Sequence, residues 1–251
     1  MDFVLAYGYI FIVGVIMGSF FNVVGLRIPI NESIIMPPSA CPTCKHRLTP
    51  LELIPIISYM VQKGKCKQCR HKISAIYPLM EFITGVLFCF TFFRFGWRGE
   101  TMIGLALISL FMIILVSDVK YMIIPDQVLA FFAILFVIGR LFIPIEPWWD
   151  TFAGAIVGFG LLYLIAVISN GGMGGGDIKL FALIGLVLGV KGVLIAFFAS
   201  CLVGSVIGIG LRITGKAKKG QLIPFGPFIV IGTLSVYFFG ELYLNLYLQL
   251  F

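Results

Sequence analysis

Gly171-Gly172-Met173-Gly174-Gly175-Gly176-Asp177-Ile178-Lys179 sets one carboxylate among glycines, between two long apolar runs. A carboxylate at the edge of a membrane is costly unless it has a partner or a task, so Asp177 is a candidate functional residue on placement alone. Its best partner is Asp118, in Val116-Ser117-Asp118-Val119-Lys120, which also ends an apolar run. The surroundings decide the fold class. With 60% hydrophobic and 12% charged residues among 251, the chain has more apolar surface than a soluble core of that size can bury, so it reads as an integral membrane protein.

Outward from that stretch, apolar runs fall at about 3–26, 78–95, 101–117, 127–143, 151–169, 178–190, 192–211 and 222–250. They predict an all-α polytopic protein of about eight transmembrane helices, several near the roughly 20 residues a bilayer crossing needs. The expected organisation is a first helix (1–26), a cytoplasmic four-cysteine domain (27–77) and a seven-helix membrane domain (78–251). The first run has Asp2 before it, no basic segment, and no small-residue cleavage site after it, so it reads as a retained helix. Glycines spaced by four, at Gly14 and Gly18, Gly154 and Gly158, Gly185 and Gly189, and Gly204 and Gly208, predict close helix packing.

The net charge of +7 is distributed by topology and does not point to nucleic acid. With both termini outside, the cytoplasmic segments hold fourteen of the 18 Lys and Arg residues, among them Lys120, Lys179 and Lys216, Lys218 and Lys219. The positive-inside rule therefore puts the large loop in the cytoplasm and Asp118 and Asp177 at the same, cytoplasmic, face. The loop Ile145-Glu146-Pro147-Trp148-Trp149-Asp150 lacks Lys and Arg and carries interfacial tryptophans, as an outside loop should.

Within the large loop Cys41-Pro42-Thr43-Cys44-Lys45-His46-Arg47-Leu48 is nearly repeated as Cys66-Lys67-Gln68-Cys69-Arg70-His71-Lys72-Ile73. Two such knuckles supply the four thiolates of a structural zinc site, which can fold a segment too short to build its own core. Disulfides do not suit a cytoplasmic loop, and a redox dithiol needs only one such pair. His46 and His71 are expected on the knuckle surface, and Cys89 and Cys201, alone in apolar runs, as reduced packing residues.

Gly174 and Gly176 do not make a nucleotide loop, which needs a preceding strand or a Gly-Lys-Ser/Thr. Asp177 is a candidate helix cap as well as a catalyst, and Asp126, after Pro125, reads mainly as the cap of the next helix. The chemical reading uses two carboxylates close enough that both cannot ionise: one activates water while the protonated one polarises the scissile carbonyl. Glycines 174 and 176 give an extended peptide access to the pair, with Lys179 supporting the site. A transporter carrying ions on the same aspartates is the alternative from a different class. It lacks the polar groups near mid-membrane that a conduction path requires.

Taken together the motifs resemble those of the type IV prepilin peptidases, GxGD aspartyl proteases of the membrane. Gly18-Ser19-Phe20-Phe21-Asn22-Val23-Val24, the segment Cys41 to Cys69, Ile73 through Tyr77-Pro78-Leu79-Met80-Glu81, Asp118 through Ile124-Pro125-Asp126, Gly174 to Leu180, and Ile223-Pro224-Phe225-Gly226-Pro227 each match a family motif. The resemblance implies an enzyme of the bacterial inner membrane that serves pilus, type II secretion or competence systems. Its substrates are prepilins or pseudopilins whose basic leader is cut after a glycine, and the new N-terminal residue is methylated with S-adenosylmethionine; a peptidase that cleaves without methyl transfer is the alternative within that class. It assigns catalysis to Asp118 and Asp177. A basic loop repels a basic leader, so Glu32, Glu52 or Glu81, or anionic lipid, are candidate contacts, with Glu32 and Glu52 otherwise solvated charges. Glu81, one turn inside its helix, is also a candidate for methyl transfer or packing.

Overall fold

An apolar run in lipid leaves its backbone no partner but itself, so each run closes its hydrogen bonds as a helix. The computed structural model describes residues 2–215 and 223–249, and among these every regular element is helical, the only pairing of extended chain being two isolated bridges. Among the described residues five helices are long and apolar enough to cross a membrane: Phe3–Ile30, Ile76–Phe95, Gly99–Tyr121, Asp150–Ile168 and Gly175–Ile213. The chain separates into two compact units, Met1–Val116 and Ser117–Phe251.

In the first unit α1 (Asp2–Arg27) stops where Pro29 follows, in a short 3-10 turn closed by Asn31 in the left-handed region. The loop beyond it contains a 3-10 turn, Pro50–Leu53, and one short α-helix, α2 (Ile57–Val61), before α3 (Ile76–Phe95), which ends at Gly96 with φ 62°. Helices α1 and α3 pack backbone to backbone. A Cβ at Gly14 would lie 2.8 Å from the Gly85 Cα, and one at Gly18 2.8 Å from the Glu81 Cα. Without a hydrophobic drive between helices in lipid, such close approach supplies the packing energy. Helix α4 (Gly99–Tyr121) crosses the boundary between the units and runs past the apolar stretch 101–117, so Asp118 lies within its last turn.

The second unit holds α5 (Asp126–Phe142), α6 (Asp150–Ile168), α7 (Gly175–Ile213) and α8 (Gly226–Gln249). At 39 residues α7 is not one rod, because Gly189 has φ 70° and ψ −175°. The rings of Phe181 and Phe197 are 5.9 Å apart, whereas sixteen residues of straight helix span about 24 Å. The chain therefore doubles back at Gly189, as the separate runs 178–190 and 192–211 predict. The groups freed at the break find partners. The Asp150 carboxylate accepts the Val190 N–H at 3.3 Å, and buried Arg140 donates to the Val187 carbonyl.

Gly154 and Gly158 face Gly185, Gly189 and Phe181 across the α6–α7 contact. Gly204 meets Phe228 of α8, but Gly208 has open space around it, so that last pair is only half used for packing. Lys216, Lys218 and Lys219, counted above for orientation, lie outside the described residues, as does the start of the run 222–250.

Candidate active site

The last turn of α4 buries Asp118 to 6% exposure. Its Oδ2 accepts the backbone N–H of Gly226, the first residue of α8, at 2.8 Å. Beyond it the Met122 N–H closes onto the Asp118 carbonyl at 2.8 Å, with Met122 at φ 55°, and the buried Ser117 hydroxyl donates to the Ile123 carbonyl. Those bonds set the path of Ile123-Ile124-Pro125 into α5.

Asp177 is the third residue of α7, and the N-cap is Gly174. This corrects the expectation that Asp177 caps the helix as its N-cap: the chain is already helical at Gly175. The Asp177 carboxylate instead takes a backbone hydrogen bond from Gly174, the backward reach made by an acidic residue at the third helical position. Asp118, 59 positions away in sequence, is the neighbouring charge that acts on Asp177. The glycines around them are occupied by packing: a Cβ at Gly176 would sit 2.7 Å from the Ile124 Cβ, and one at Gly174 3.0 Å from the Asp177 Oδ2.

Lys179 joins the start of α7 to the start of α5, its Nζ 2.7 Å from both oxygens of Asp126. Asp126 is therefore an ion-pair partner and not a side-chain cap; the N-cap of α5 is Pro125, with no side-chain hydrogen bond. Gly226 stood in the sequence only as part of a motif entering the last helix. Nothing in residue type shows that its amide reaches a carboxylate 108 positions away.

In the loop of the first unit the two cysteine knuckles have one geometry. The Cys41 and Cys66 amides donate to the His46 and His71 carbonyls, both at 2.9 Å, and Lys45 and Arg70 turn with φ 58° and 60°. The sulfurs of Cys41, Cys44, Cys66 and Cys69 lie within 4.8 Å of one another, with Cys41 to Cys69 at 3.7 Å and Cys44 to Cys66 at 3.9 Å. A tetrahedral Zn–S₄ centre with bonds of about 2.3 Å has sulfurs about 3.8 Å apart, so the four residues fit a metal ion.

The amides of Cys44 and Thr43 pull the Cys41 thiol down to about 6. For Cys44 the His46 amide also pulls down, but burial and the neighbouring thiols of Cys69, Cys41 and Cys66 push it up to about 12. Four sulfurs this close cannot all ionise without a cation among them.

Glu52 is not a solvated charge. Its side chain is 7% exposed and pairs with His46 Nε2 at 3.2 Å. The Thr49 amide and hydroxyl, helped by His46, hold its carboxyl down at about 2. His46 is thus tied to Glu52, while Glu32 is exposed. Glu81 is buried; its Oε2 accepts the Ile56 N–H at 2.8 Å, and its carboxyl is also hydrogen-bonded to the Ser19 side chain. Ile56 has φ 61°, a costly conformation for a β-branched residue, so Glu81 pins a strained point of the loop to the helix pair.

Residues 12–95 match the family model described as the bacterial peptidase A24 N-terminal domain, and residues 105–209 that described as the type IV leader peptidase family. The chain is 45% identical to the prepilin leader peptidase/N-methyltransferase of Bacillus subtilis, over 96% of this chain and 97% of that one. It is 31% identical to the protein of the same name from Neisseria gonorrhoeae, over 88% and 86%. It is 30% identical to that of Aeromonas salmonicida, over 98% and 94%. No solved structure matches.

Proposed function

The chain belongs to the type IV leader peptidase family, and from that premise we propose that Asp118 and Asp177 are the catalytic pair of a membrane protease acting at the cytoplasmic face. The protein removes the leader peptide of prepilins and N-methylates the residue this exposes. The observation that carries the site assignment is the placing of the two carboxylates, each at a helix end and each held by one main-chain amide.

In hydrolysis the ionised aspartate takes a proton from water as the oxygen attacks the scissile carbonyl. The protonated aspartate gives its proton to the carbonyl oxygen. As the tetrahedral diol collapses and the C–N bond breaks, the aspartate that took the water proton passes it to the leaving nitrogen, and a diol hydroxyl returns a proton to the other aspartate. The open backbone at Gly175, beside Gly174 and Gly176, suits the approach of an extended peptide, and the Lys179–Asp126 pair supports the two helix starts.

We further read eight membrane crossings, counting α7 as two, with both termini outside in a bacterial inner membrane. The segment 27–77 is a cytoplasmic domain folded on a structural Zn²⁺ held by Cys41, Cys44, Cys66 and Cys69, and 78–251 is the membrane domain that bears the protease site. Pseudopilins of a secretion or competence system are substrates of the same chemistry. Methyl transfer draws on S-adenosylmethionine, whose sulfonium supplies an electrophilic methyl group to the new amine. Glu81 is the residue to test for it. Unchanged cleavage and methylation in Glu81→Gln would leave it a packing residue alone.

The central test incubates purified Asp118→Asn and Asp177→Asn in liposomes with a prepilin peptide and reads products by mass. Both variants are expected to be inserted, folded and unable to cleave. Full cleavage by either one sinks the pair assignment.

A further inference from the structure

We propose that the backbone N–H of Gly226 is a positioning group for hydrolysis: it fixes the Asp118 carboxylate by one oxygen and presents the other to water and the scissile peptide. The inference rests on the reading of Asp118 as catalytic.

The bond is buried and 2.8 Å long, from the Gly226 amide to Asp118 Oδ2. As the first residue of α8, Gly226 carries one of the amides that have no partner inside the helix, so donating to Asp118 costs no helical bond. A hydrogen bond to a carboxylate is about twice as strong as one between neutral groups, and here it restricts the torsion that aims the carboxylate.

The donor is itself held. The Phe228 and Ile229 amides close the first turn onto the Phe225 carbonyl at 3.0 and 3.1 Å. Farther along, the Gly232 backbone lies so near Ser200 that a Cβ would be 2.6 Å from the Ser200 amide nitrogen, which locks α8 to the returning half of α7.

The position also excludes a side chain, since a Cβ at residue 226 would lie 2.5 Å from Asp118 Oδ2. Asp177 is served in the same way by the backbone of Gly174 at the start of α7. Each aspartate thus takes one main-chain hydrogen bond from a glycine at a helix start, a rigid arrangement that needs no reorganisation during reaction.

The test compares Gly226→Ala with a backbone ester at residue 226, introduced as glycolic acid, which removes the N–H and adds no atom. Both go into liposomes with Asp118→Asn alongside. Leader cleavage and methylation of an already cleaved pilin peptide are measured separately, so the second activity reports folding.

Both Gly226 variants are expected to lose at least about a hundredfold in kcat for cleavage, since small misplacements of a catalytic group cost that much. KM and methylation should stay within about twofold. Cleavage within about threefold of wild type by the ester variant overturns the proposal. So does an equal fall of cleavage and methylation, which would make Gly226 a folding residue. If Asp118→Asn itself cleaves, the catalytic reading fails, whatever Gly226 does.

Discussion

At the scale of single residues, the acidic groups near the site separate by what they touch. Asp118 and Asp177 each hold a main-chain amide. Asp126, one short turn away in sequence, is exposed and spends both oxygens on exposed Lys179. An exposed ion pair is worth up to about 1 kcal/mol. Asp126→Asn should therefore change stability by no more than about that and retain cleavage within tenfold, as peptide turnover in liposomes will show. The glycines can be tested in the same way. Gly176→Ala places a Cβ 2.7 Å from that of Ile124 and is expected to cost about 1–3 kcal/mol, the usual penalty of overpacking. The offending atom is the Ile124 Cβ, so Ile124→Gly should relieve the double variant while Ile124→Ala should not, as thermal unfolding in detergent will read. The placing of Asp118 and Asp177 at helix ends was legible from their apolar flanks; the amides they hold were not, because a backbone donor leaves no trace in residue type.

At the scale of elements, the cysteine loop was the most readable feature, since its repeat CxxC spacing states a ligand geometry directly. Less readable was how the loop is fastened. Glu52 looked like a loop charge until the Thr49 amide and hydroxyl and His46 closed on it. Glu81 reaches out of α3 to hold the Ile56 amide. Removing metal with a strong chelator, or exchanging Cys44 for Ser, is expected to open residues 27–75 to trypsin while the membrane helices remain protected, because metal-binding energy is the folding energy of such a segment. Loss of a buried acceptor costs about 1–3 kcal/mol. Glu81→Leu should accordingly speed tryptic cleavage near Lys63 and Lys65 even with metal bound, and an unchanged digestion pattern would remove the fastening role. Helix ends were the weakest part of the sequence reading. Helix α4 runs through Asp118 to Tyr121, beyond the apolar run, because the backbone continues to hydrogen-bond after hydrophobicity stops.

For the whole molecule, composition and the alternation of apolar runs made an all-helical membrane protein legible, and the bias of Lys and Arg supplied an orientation. That orientation predicts that a cysteine replacing Glu146 in the Trp148-Trp149 loop is labelled from outside intact cells, and one replacing Glu32 only after permeabilisation. The reverse pattern would invert the topology. What hydropathy could not register is that the reversal at Gly189 depends on polar groups from two other helices, since Arg140 ends α5 and Asp150 begins α6. This has a consequence for biosynthesis. A ribosome delivers the chain from its N-terminus, so Arg140 and Asp150 are already made when residue 189 emerges. The two halves of α7 thus enter lipid with the partners for their broken ladder in place. Asp150→Ala should then delay or misroute insertion of residues 190–213 in a glycosylation-mapping assay, with α1 to α6 inserted normally; correct insertion at the normal rate would show that the hairpin needs no earlier template.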